Sequence, residues 1–322
     1  MIDCTVNTGA TNHVMMTWHS LQEVKDSRKE WLGESVGFVP TMGALHEGHF
    51  ALIQRSKALC KRTVVSIFVN PLQFGPQEDF ARYPRSLEDD LSACRALGVD
   101  AVFIPTVEMM YPSTKLDKAV DTAHTSQTTI VLPPSHLTDQ YCGQSRPGFF
   151  TGVATVVIKL FHIIQPDVAV FGEKDAQQLA VIKALVNDLN LPVRIEPHPT
   201  VRDERGIALS SRLRYLSTPA QHESALMPSR ILKGIQHEFT QAARAQDKGS
   251  FMLSKESVFE RVVADLLGKP GDQGPEAFKI DYLDVVDEDT FRSQPALKAG
   301  YRLLIAGYVG SIRLIDNHCL TL

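Results

Sequence analysis

The stretch VGFVPTMGALHEGH, residues 36–49, decides the fold because it joins an apolar run to a turn rich in glycine and histidine. Its first four residues read as a strand, and residues 50–60 then repeat apolar side chains at helical spacing. A strand that gives way to a helix through such a turn is typical of α/β sheets. The turn leaves three interpretations of His46 and His49 open: metal ligands, part of a nucleotide site, or caps of the helix.

Further apolar runs alternate with amphipathic segments along the chain, and we expect them to be strands. They are TVVSIFV (63–69), DAVFIP (100–105), DVAVFG (167–172) and VRIEPHP (193–199). Short apolar strands that alternate with helices indicate a parallel sheet covered on both faces. The sequence therefore predicts an α/β fold, with a doubly wound parallel-sheet (Rossmann-like) nucleotide-binding domain over residues 1–212. Such sheets bind ligands beyond the carboxyl ends of their strands.

The last third of the chain has a different pattern. A helix is predicted from Thr218 to about Arg244, and alternating apolar residues after it indicate a small antiparallel sheet. We expect a smaller α+β C-terminal domain over residues 213–322, acting as a lid. Between Tyr111 and Gly148 the periodicity disappears, which predicts a long loop. Residues 1–16 are expected to be an N-terminal extension.

The composition excludes several classes of protein. The 322 residues carry a net charge of −4, so no basic field favours nucleic acid or an anionic membrane. No apolar run approaches the roughly 20 residues that span a bilayer, and no secretory signal is recognisable at the start. The five cysteines are scattered and form no Cys-x-x-Cys, which favours a reducing compartment without disulfides or structural zinc. We expect a cytoplasmic protein.

The pattern around the two histidines favours a nucleotide site. Zinc helices space their histidines four residues apart with a glutamate between them, whereas His46 and His49 are three apart. The glycines let the backbone approach a ligand, and the helix start presents N–H groups to phosphates. Lys174 opens a helix against the helix dipole, which anion binding would explain, while Glu173 and Asp175 beside it equally suit an ordinary charged helix start. Arg212 beside two serines suits a leaving pyrophosphate.

Five long motifs carry a resemblance to one family. They are VPTMGALHEGH, VSIFVNPLQFG, ARYPR, FGEKDAQQL and ALSSRLRYL. In order and spacing they resemble the pantothenate synthetases (pantoate–β-alanine ligases) of the HxGH nucleotidyltransferase superfamily. The resemblance is dense from about Val36 to Leu216, and the segment SIRLIDN near the end of the sequence resembles the family's ending.

The resemblance implies a ligase that joins pantoate to β-alanine with ATP, through an enzyme-bound pantoyl adenylate, and releases AMP and pyrophosphate. His49, His46, Lys174 and Arg212 are the implied catalytic residues. The implied ATP-binding residues are Met42, Gly43, Ala44, Leu45, His46, Glu47, Gly48, His49, Gly172, Glu173, Lys174, Asp175, Val201, Leu209, Ser210, Ser211 and Arg212. The implied substrate-binding residues for pantoate or β-alanine are Pro40, Met42, Asn70, Gln73, Tyr83, Arg146 and Gln178. Asp89 and Asp90 are the implied metal residues. Mg²⁺ would accompany ATP, no tightly bound organic cofactor is expected, and the family implies a homodimer.

The chain departs from the family pattern at several positions. Phe149 stands where a histidine is frequent, Leu213 replaces a usual asparagine, Leu209 a frequent methionine, and Ala93 the glutamine that accompanies the acidic pair. Two rival hypotheses therefore stay open. One is a nucleotidyltransferase with a phosphate-bearing acceptor, which would need extra cations where this chain has Gln73 and Gln178. The other is a nucleotide-sensing module without catalysis.

Overall fold

The structure is a computed structural model, and it describes residues 14–76, 78–112, 128–245, 253–268 and 276–322. A six-stranded sheet organises the first part of the chain, and all its strand pairs are parallel. The strands are β1 (Met16–Trp18), β2 (Val36–Thr41), β3 (Arg62–Ile67), β4 (Ala101–Phe103), β5 (Val168–Gly172) and β6 (Arg194–His198). Their order in the sheet is β1-β4-β3-β2-β5-β6. The predicted parallel α/β sheet is confirmed.

Helices cover both faces of this sheet. They are α1 (Leu21–Glu30), α2 (Glu47–Leu59), α3 (Leu87–Ala96), α4 (Val107–Met110), α7 (Phe149–Ile164) and α8 (Ala176–Asp188). The short helices α5 (Ser135–Thr138) and α6 (Cys142–Ser145) contribute Leu137 and Cys142 to a separate apolar cluster. Successive strand residues point to opposite faces: Phe38 packs into a core with α7, while Val39 packs into a second core with α2 and α3. These two cores hold the sheet from both sides.

The order of the strands creates a switch point between β2 and β5. From β2 the chain winds outward through β3 and β4 on one side, and it later returns to β5 and β6 on the other. Ligands of open α/β sheets bind beyond the carboxyl ends of the strands at such a point. The loops that follow Thr41 and Gly172 lie on either side of it.

The C-terminal part has its own core. It consists of α9 (Pro219–Ser224), α10 (Met227–Ala245), α11 (Lys255–Leu267) and the strands β7 (Leu253–Ser254), β8 (Phe278–Val286), β9 (Ala296–Leu297), β10 (Arg302–Val309) and β11 (Ile312–Cys319). The predicted antiparallel sheet is confirmed as β11-β10-β8. A further apolar cluster joins the two parts, because Phe150 and Val181 pack in it with Val286 and Leu304.

Two expectations differ from the structure. The single helix predicted from Thr218 to about Arg244 is two helices, α9 and α10. Pro228 explains the break, because in a continuous helix its ring would clash with the backbone carbonyl of Ser224, four residues earlier. The strand β1 and the helix α1 were not recognised from the sequence. Residues 113–127 of the predicted 111–148 loop and residues 1–13 of the N-terminal extension lie outside the described residues. The described part of that loop is not wholly irregular, because it contains the short helices α5 and α6.

No helix in the described ranges has both the length and the apolar character to cross a membrane.

Candidate active site

A cavity of about 250 Å³ opens at the carboxyl ends of β2, β3, β5 and β6. Its wall contains most of the residues predicted for nucleotide and substrate binding. They are Pro40, Met42, His46, Gly48, His49, Asn70, Gln73, Tyr83, Arg146, Gly172, Lys174, Asp175, Gln178, Val201, Leu209, Ser210, Ser211 and Arg212. The loops that follow these four strands are distant in sequence, and in the fold they form one site.

Five predicted ATP-binding residues do not line this cavity. They are Gly43, Ala44, Leu45, Glu47 and Glu173. Ala44 and Leu45 are buried behind the loop, and Glu47 is exposed on the first turn of α2. The cavity is also lined by His198, Pro199 and Thr200, which were not predicted from the sequence. These three residues follow β6, so their place at the same sheet edge was a signal that could have identified them.

His46 and His49 cap the start of α2 and face the cavity at the same time. The backbone N–H of Gly48 donates to His46 Nδ1 at 3.1 Å, and the backbone N–H of His46 donates to His49 Nδ1 at 3.3 Å. Because each Nδ1 accepts a hydrogen bond, we assign the proton of both neutral rings to Nε2. Each imidazole therefore keeps an Nε2–H donor beyond its capping bond.

Both imidazoles are neutral at pH 7. Burial, followed by the charge of Lys174, lowers the pKa of His46 from 6.5 to about 4. Burial, followed by His46 and Lys174, lowers the pKa of His49 from 6.5 to about 3. The ring centroids lie 4.2 Å apart, so protonation of one ring would oppose protonation of the other. The pair can donate hydrogen bonds to a phosphate without carrying a charge of its own.

Asp90 holds the loop that precedes the histidines. Its carboxylate is 3% exposed and accepts the N–H groups of Ala44 and Leu45, each at 2.8 Å. The turn there is left-handed, with φ of 78° at Gly43 and 51° at Ala44, a conformation that costs energy for a residue other than glycine. Bonds to an ionised carboxylate are strong enough to stabilise it.

The structure gives no support to a metal site at Asp89 and Asp90. Asp89 is exposed, whereas Asp90 is buried and both its oxygens accept hydrogen bonds from the loop. Within the described residues no three His, Cys, Asp or Glu side chains are grouped so as to hold a metal ion. We therefore assign Asp90 the role of stabilising the loop, and no step of the reaction proposed below uses a metal ion held by these residues.

Lys174 and Arg212, the two cations predicted to be catalytic, line the cavity together with Arg146. The ammonium of Lys174 lies 3.6 Å from the carboxylate of Asp175. The guanidinium of Arg212 pairs with Asp79, with Nε 3.3 Å from Oδ2 and Nη2 3.1 Å from Oδ1. Burial opposes ionisation of Asp79, but the pairing with Arg212 outweighs it and lowers the pKa of Asp79. A phosphate that binds Arg212 must compete with that carboxylate.

The serine-rich segment, residues 209–217, packs directly against the loop that carries the histidines, residues 42–49. Ser210 caps the 3-10 turn Ser211–Tyr215 by accepting the N–H of Arg212. The hydroxyl of Ser211 donates to the carbonyl of Ala44 at 3.4 Å, and Arg214 donates to the carbonyl of Leu45 at 3.3 Å. The serine motif and the histidine motif, which are distant in sequence, are therefore adjacent in the fold.

A chain of hydrogen bonds orients Gln73. The hydroxyl of Tyr111 donates to Asn70 Oδ1 at 2.7 Å, and Asn70 Nδ2 donates to Gln73 Oε1 at 3.1 Å. The amide of Asn70 also donates to the carbonyl of Gly152. Gln73 Nε2 lies 2.9 Å from the sulfur of Met42. The oxygen of Gln73 is therefore directed toward Asn70, and its NH₂ group lies on the side of Met42.

Arg146 stands between Phe149 and an acidic residue. Its guanidinium carbon lies 3.7 Å from the centroid of the Phe149 ring, a cation–π contact. Its Nε donates to Glu78 at 2.9 Å, and Nη2 donates to the carbonyl of Gln73 at 3.1 Å. Phe149, where the family frequently has a histidine, therefore packs on this arginine.

The fold and the site together define an α/β protein with a cavity lined by cations and hydrogen-bond donors at the switch point of a parallel sheet. The comparisons with known proteins name its family. A family model described as pantoate-beta-alanine ligase matches residues 13–319. The chain belongs to the pantoate–β-alanine ligase family.

Relatives and solved structures agree with this assignment. A pantothenate synthetase of Caldicellulosiruptor saccharolyticus is 45% identical over 300 residues, which cover 93% of this chain and 96% of the relative. A bifunctional pantoate ligase/cytidylate kinase of Thermosynechococcus vestitus is 48% identical over 283 residues, 88% of this chain and 50% of the relative. The chain thus spans about half the length of the bifunctional relatives that it matches.

Two solved structures show the same fold. Pantothenate synthetase from Thermus thermophilus is 40% identical, with a TM-score of 0.80, and the match covers 96% of this chain and 100% of that one. Pantoate-beta-alanine ligase from Francisella tularensis, complexed with beta-gamma ATP and beta-alanine, is 31% identical with a TM-score of 0.68. That match covers 95% of this chain and 98% of the other.

Proposed function

We propose that this chain condenses (R)-pantoate with β-alanine to pantothenate, through a pantoyl adenylate, with release of AMP and pyrophosphate. The observation that carries the proposal is the composition of the cavity. Its lining combines groups that can donate hydrogen bonds to phosphate oxygens, His46, His49 and Lys174, with the neutral amides of Gln73 and Gln178. The Francisella relative, which is complexed with an ATP compound and β-alanine, supports the same substrates.

In the first step a carboxylate oxygen of pantoate attacks the α-phosphorus of ATP, and the bond from that phosphorus to the pyrophosphate oxygen breaks. During this step the negative charge is spread over the phosphate oxygens. This chemistry requires alignment and neutralisation of charge rather than a covalent nucleophile. Lys174 supplies positive charge, while the Nε2–H groups of His46 and His49 supply neutral donors. Arg212 would exchange Asp79 for the leaving pyrophosphate.

In the second step the neutral amine of β-alanine attacks the carbonyl carbon of the adenylate. The C–N bond forms, the C–O bond to AMP breaks with its electron pair on the phosphate oxygen, and the proton that the amine loses passes through the AMP phosphate to solvent. Since both Nδ1 atoms already accept backbone N–H groups, His46 and His49 act as donors to the AMP phosphate rather than as bases. This role agrees with the position of His49, which the family treats as its active-site acid.

The pantoate side of the pocket is proposed to be formed by Pro40, Met42, Asn70, Gln73, Tyr83, Arg146 and Gln178. An amide both donates and accepts, so Gln73 and Gln178 suit a ligand that has hydroxyls as well as a carboxylate. The rival transferase with a phosphate-bearing acceptor would place additional cations where these amides lie. The amides therefore favour the ligase.

The remaining assignments rest on the family and on the composition and patterns of the sequence. Mg²⁺ enters with ATP as part of the substrate, no tightly bound organic cofactor is needed, and the enzyme is a cytoplasmic homodimer. Residues 213–322 form a domain that acts as a lid over residues 1–212. Light scattering at micromolar concentration checks the dimer, and a mass equal to one chain would contradict it.

The experiment that tests the function is AMP release with pantoate, β-alanine and ATP. We expect release only when all three are present, with pantothenate formed in equal amount. AMP transfer to a phosphate-bearing acceptor instead would favour the transferase. ATP binding without any AMP release would favour the nucleotide-sensing module.

A further inference from the structure

The segment SIRLIDN, residues 311–317, lies in a part of the fold remote in sequence from every motif of the cavity, and the proposed chemistry does not use it. It forms most of β11, the last strand of the C-terminal sheet. Two of its polar residues, Asp316 and Asn317, are each only 4% exposed. Buried polar side chains are costly unless they are hydrogen-bonded, so their partners indicate what they do.

Asn317 binds the backbone of the turn that carries Lys174. Its Nδ2 donates to the carbonyl of Glu173 at 2.8 Å and to the carbonyl of Lys174 at 2.9 Å. The orientation of this amide is fixed by Arg302, whose Nη1 donates to Asn317 Oδ1 at 2.6 Å. Both N–H groups of the Asn317 amide therefore donate to one turn, and its oxygen accepts a hydrogen bond from Arg302.

Asp316, the neighbouring residue, binds the segment that leads to the serine-rich loop. Both its oxygens pair with Arg202, Oδ2 at 2.7 Å from Nη1 and Oδ1 at 2.8 Å from Nη2. Arg202 follows Val201, which lines the cavity. The same strand thus contacts two of the segments that form the proposed ATP site.

We propose that Asn317 is a positioning residue, which holds the turn 173–175 so that the ammonium of Lys174 faces the phosphates of ATP. The inference rests on the proposed function only in that Lys174 contacts ATP. Lys174 carries its charge on a long flexible stem, so the direction of its side chain depends on a fixed backbone. Two hydrogen bonds to successive carbonyls, at Glu173 and Lys174, provide that restraint.

The test is a double-mutant cycle between Asn317 and Lys174. The Kd for a non-hydrolysable ATP analogue is measured by calorimetry for wild type, Asn317→Asp, Lys174→Ala and the double variant. Asn317→Asp keeps the size of the side chain but replaces the NH₂ donors with an oxygen that faces two carbonyls. We expect the Kd to rise about tenfold in the wild-type background, since small misplacements in such sites have large effects.

In the Lys174→Ala background the same change is expected to leave the Kd within about twofold, because the ammonium to be positioned is gone. Asn187→Asp is the matched control, because it introduces the same charge on the exposed end of α8. It should leave the Kd unchanged in either background. If Asn317→Asp lowers the melting temperature so far that the fold is lost, Asn317→Ser, which keeps one donor, takes its place in the cycle.

Equal losses of affinity in both backgrounds, or no loss in either, would overturn the positioning role. Coupling between the two residues in an enzyme that releases no AMP would instead leave the positioning role standing and refute the proposed reaction. The two failures are therefore distinguishable.

Discussion

The imidazole of His46 and the imidazole of His49 cap one helix reciprocally, each through Nδ1, and both rings line the same cavity. The helix-cap interpretation and the nucleotide interpretation of these residues are therefore compatible. Capping satisfies N–H groups at the start of α2, and it also fixes which nitrogen of each ring carries the proton. The opposite side of each ring is left with an N–H group suited to a phosphate oxygen.

Gly48→Ala tests this arrangement. A Cβ at residue 48 would lie 2.8 Å from Cε1 and 2.9 Å from Nδ1 of His46, so the imidazole must rotate away. The lost capping bond costs about 0.5–2 kcal/mol, and the higher helix propensity of alanine offsets it by up to about 1 kcal/mol, so the fold should be retained with little net change in stability. We expect kcat/KM to fall at least about tenfold, because one preorganised donor is displaced.

The control for Gly48→Ala is Gly75→Ala, where a Cβ meets only ordinary contacts at 3.6 Å or more. Activity is measured by AMP release and stability by thermal unfolding. Wild-type activity in Gly48→Ala would show that the orientation of His46 does not matter for catalysis.

Stability should depend on pH through the same histidines. Their pKa values are lowered from 6.5 to about 4 for His46 and about 3 for His49. Below about pH 6.5 the unfolded chain binds protons that the folded chain does not, so the free energy of unfolding decreases as the pH falls toward those folded values. The stability is fully present above about pH 6.5.

We expect each histidine to contribute a loss of about 1 kcal/mol or less between pH 7 and pH 5, after a discount for partial exposure. Urea unfolding of wild type and His49→Gln at both pH values measures it. The variant should lose less stability than wild type over this interval. An identical loss would mean that His49 takes up protons equally in the folded and unfolded chains, so that its pKa is not lowered by folding.

Asp90→Asn separates a loop-stabilising role from a metal-binding role. Asparagine offers one oxygen where two backbone N–H groups need acceptors, so the turn at Gly43 and Ala44 loses a bond. We expect a loss of about 1–3 kcal/mol in stability and a lower kcat. The concentration of Mg²⁺ at half-maximal rate should not change. Asp89→Asn, on the exposed neighbour, should behave as wild type. A parallel rise in the Mg²⁺ requirement of both variants would instead support the metal site.

Gln73→Glu tests the pantoate pocket. The oxygen bonded to Asn70 is retained, but the NH₂ group is replaced by an acceptor that carries charge. At about 4 Å and an effective dielectric of about 20, like charges repel by about 4 kcal/mol. Solvent reduces this, so we expect a penalty of roughly 2–4 kcal/mol, chiefly in the KM for pantoate. The KM for ATP should change much less. Equal losses for both substrates would remove Gln73 from the pantoate pocket.

The sequence was sufficient to predict the parallel sheet and most of the cavity, since apolar runs and the loops after them lie close together in the chain. It could not show what the charged groups pair with. Arg212 pairs with Asp79 and Arg146 with Glu78, contacts that depend on how distant segments pack. The role of Asp90 was also beyond a local pattern, because its partners are backbone N–H groups some 45 residues earlier. Pro228, by contrast, was a visible signal for the end of α9.

The exchange of labelled pyrophosphate into ATP tests the central claim most directly. If pantoate is adenylated in this cavity before the amine attacks, pantoate and ATP alone must support exchange without β-alanine. His49→Ala should lower the exchange rate by two orders of magnitude or more, about 2.7–4 kcal/mol for one preorganised donor. Exchange that requires β-alanine, in an enzyme that otherwise makes pantothenate, would contradict the adenylate route.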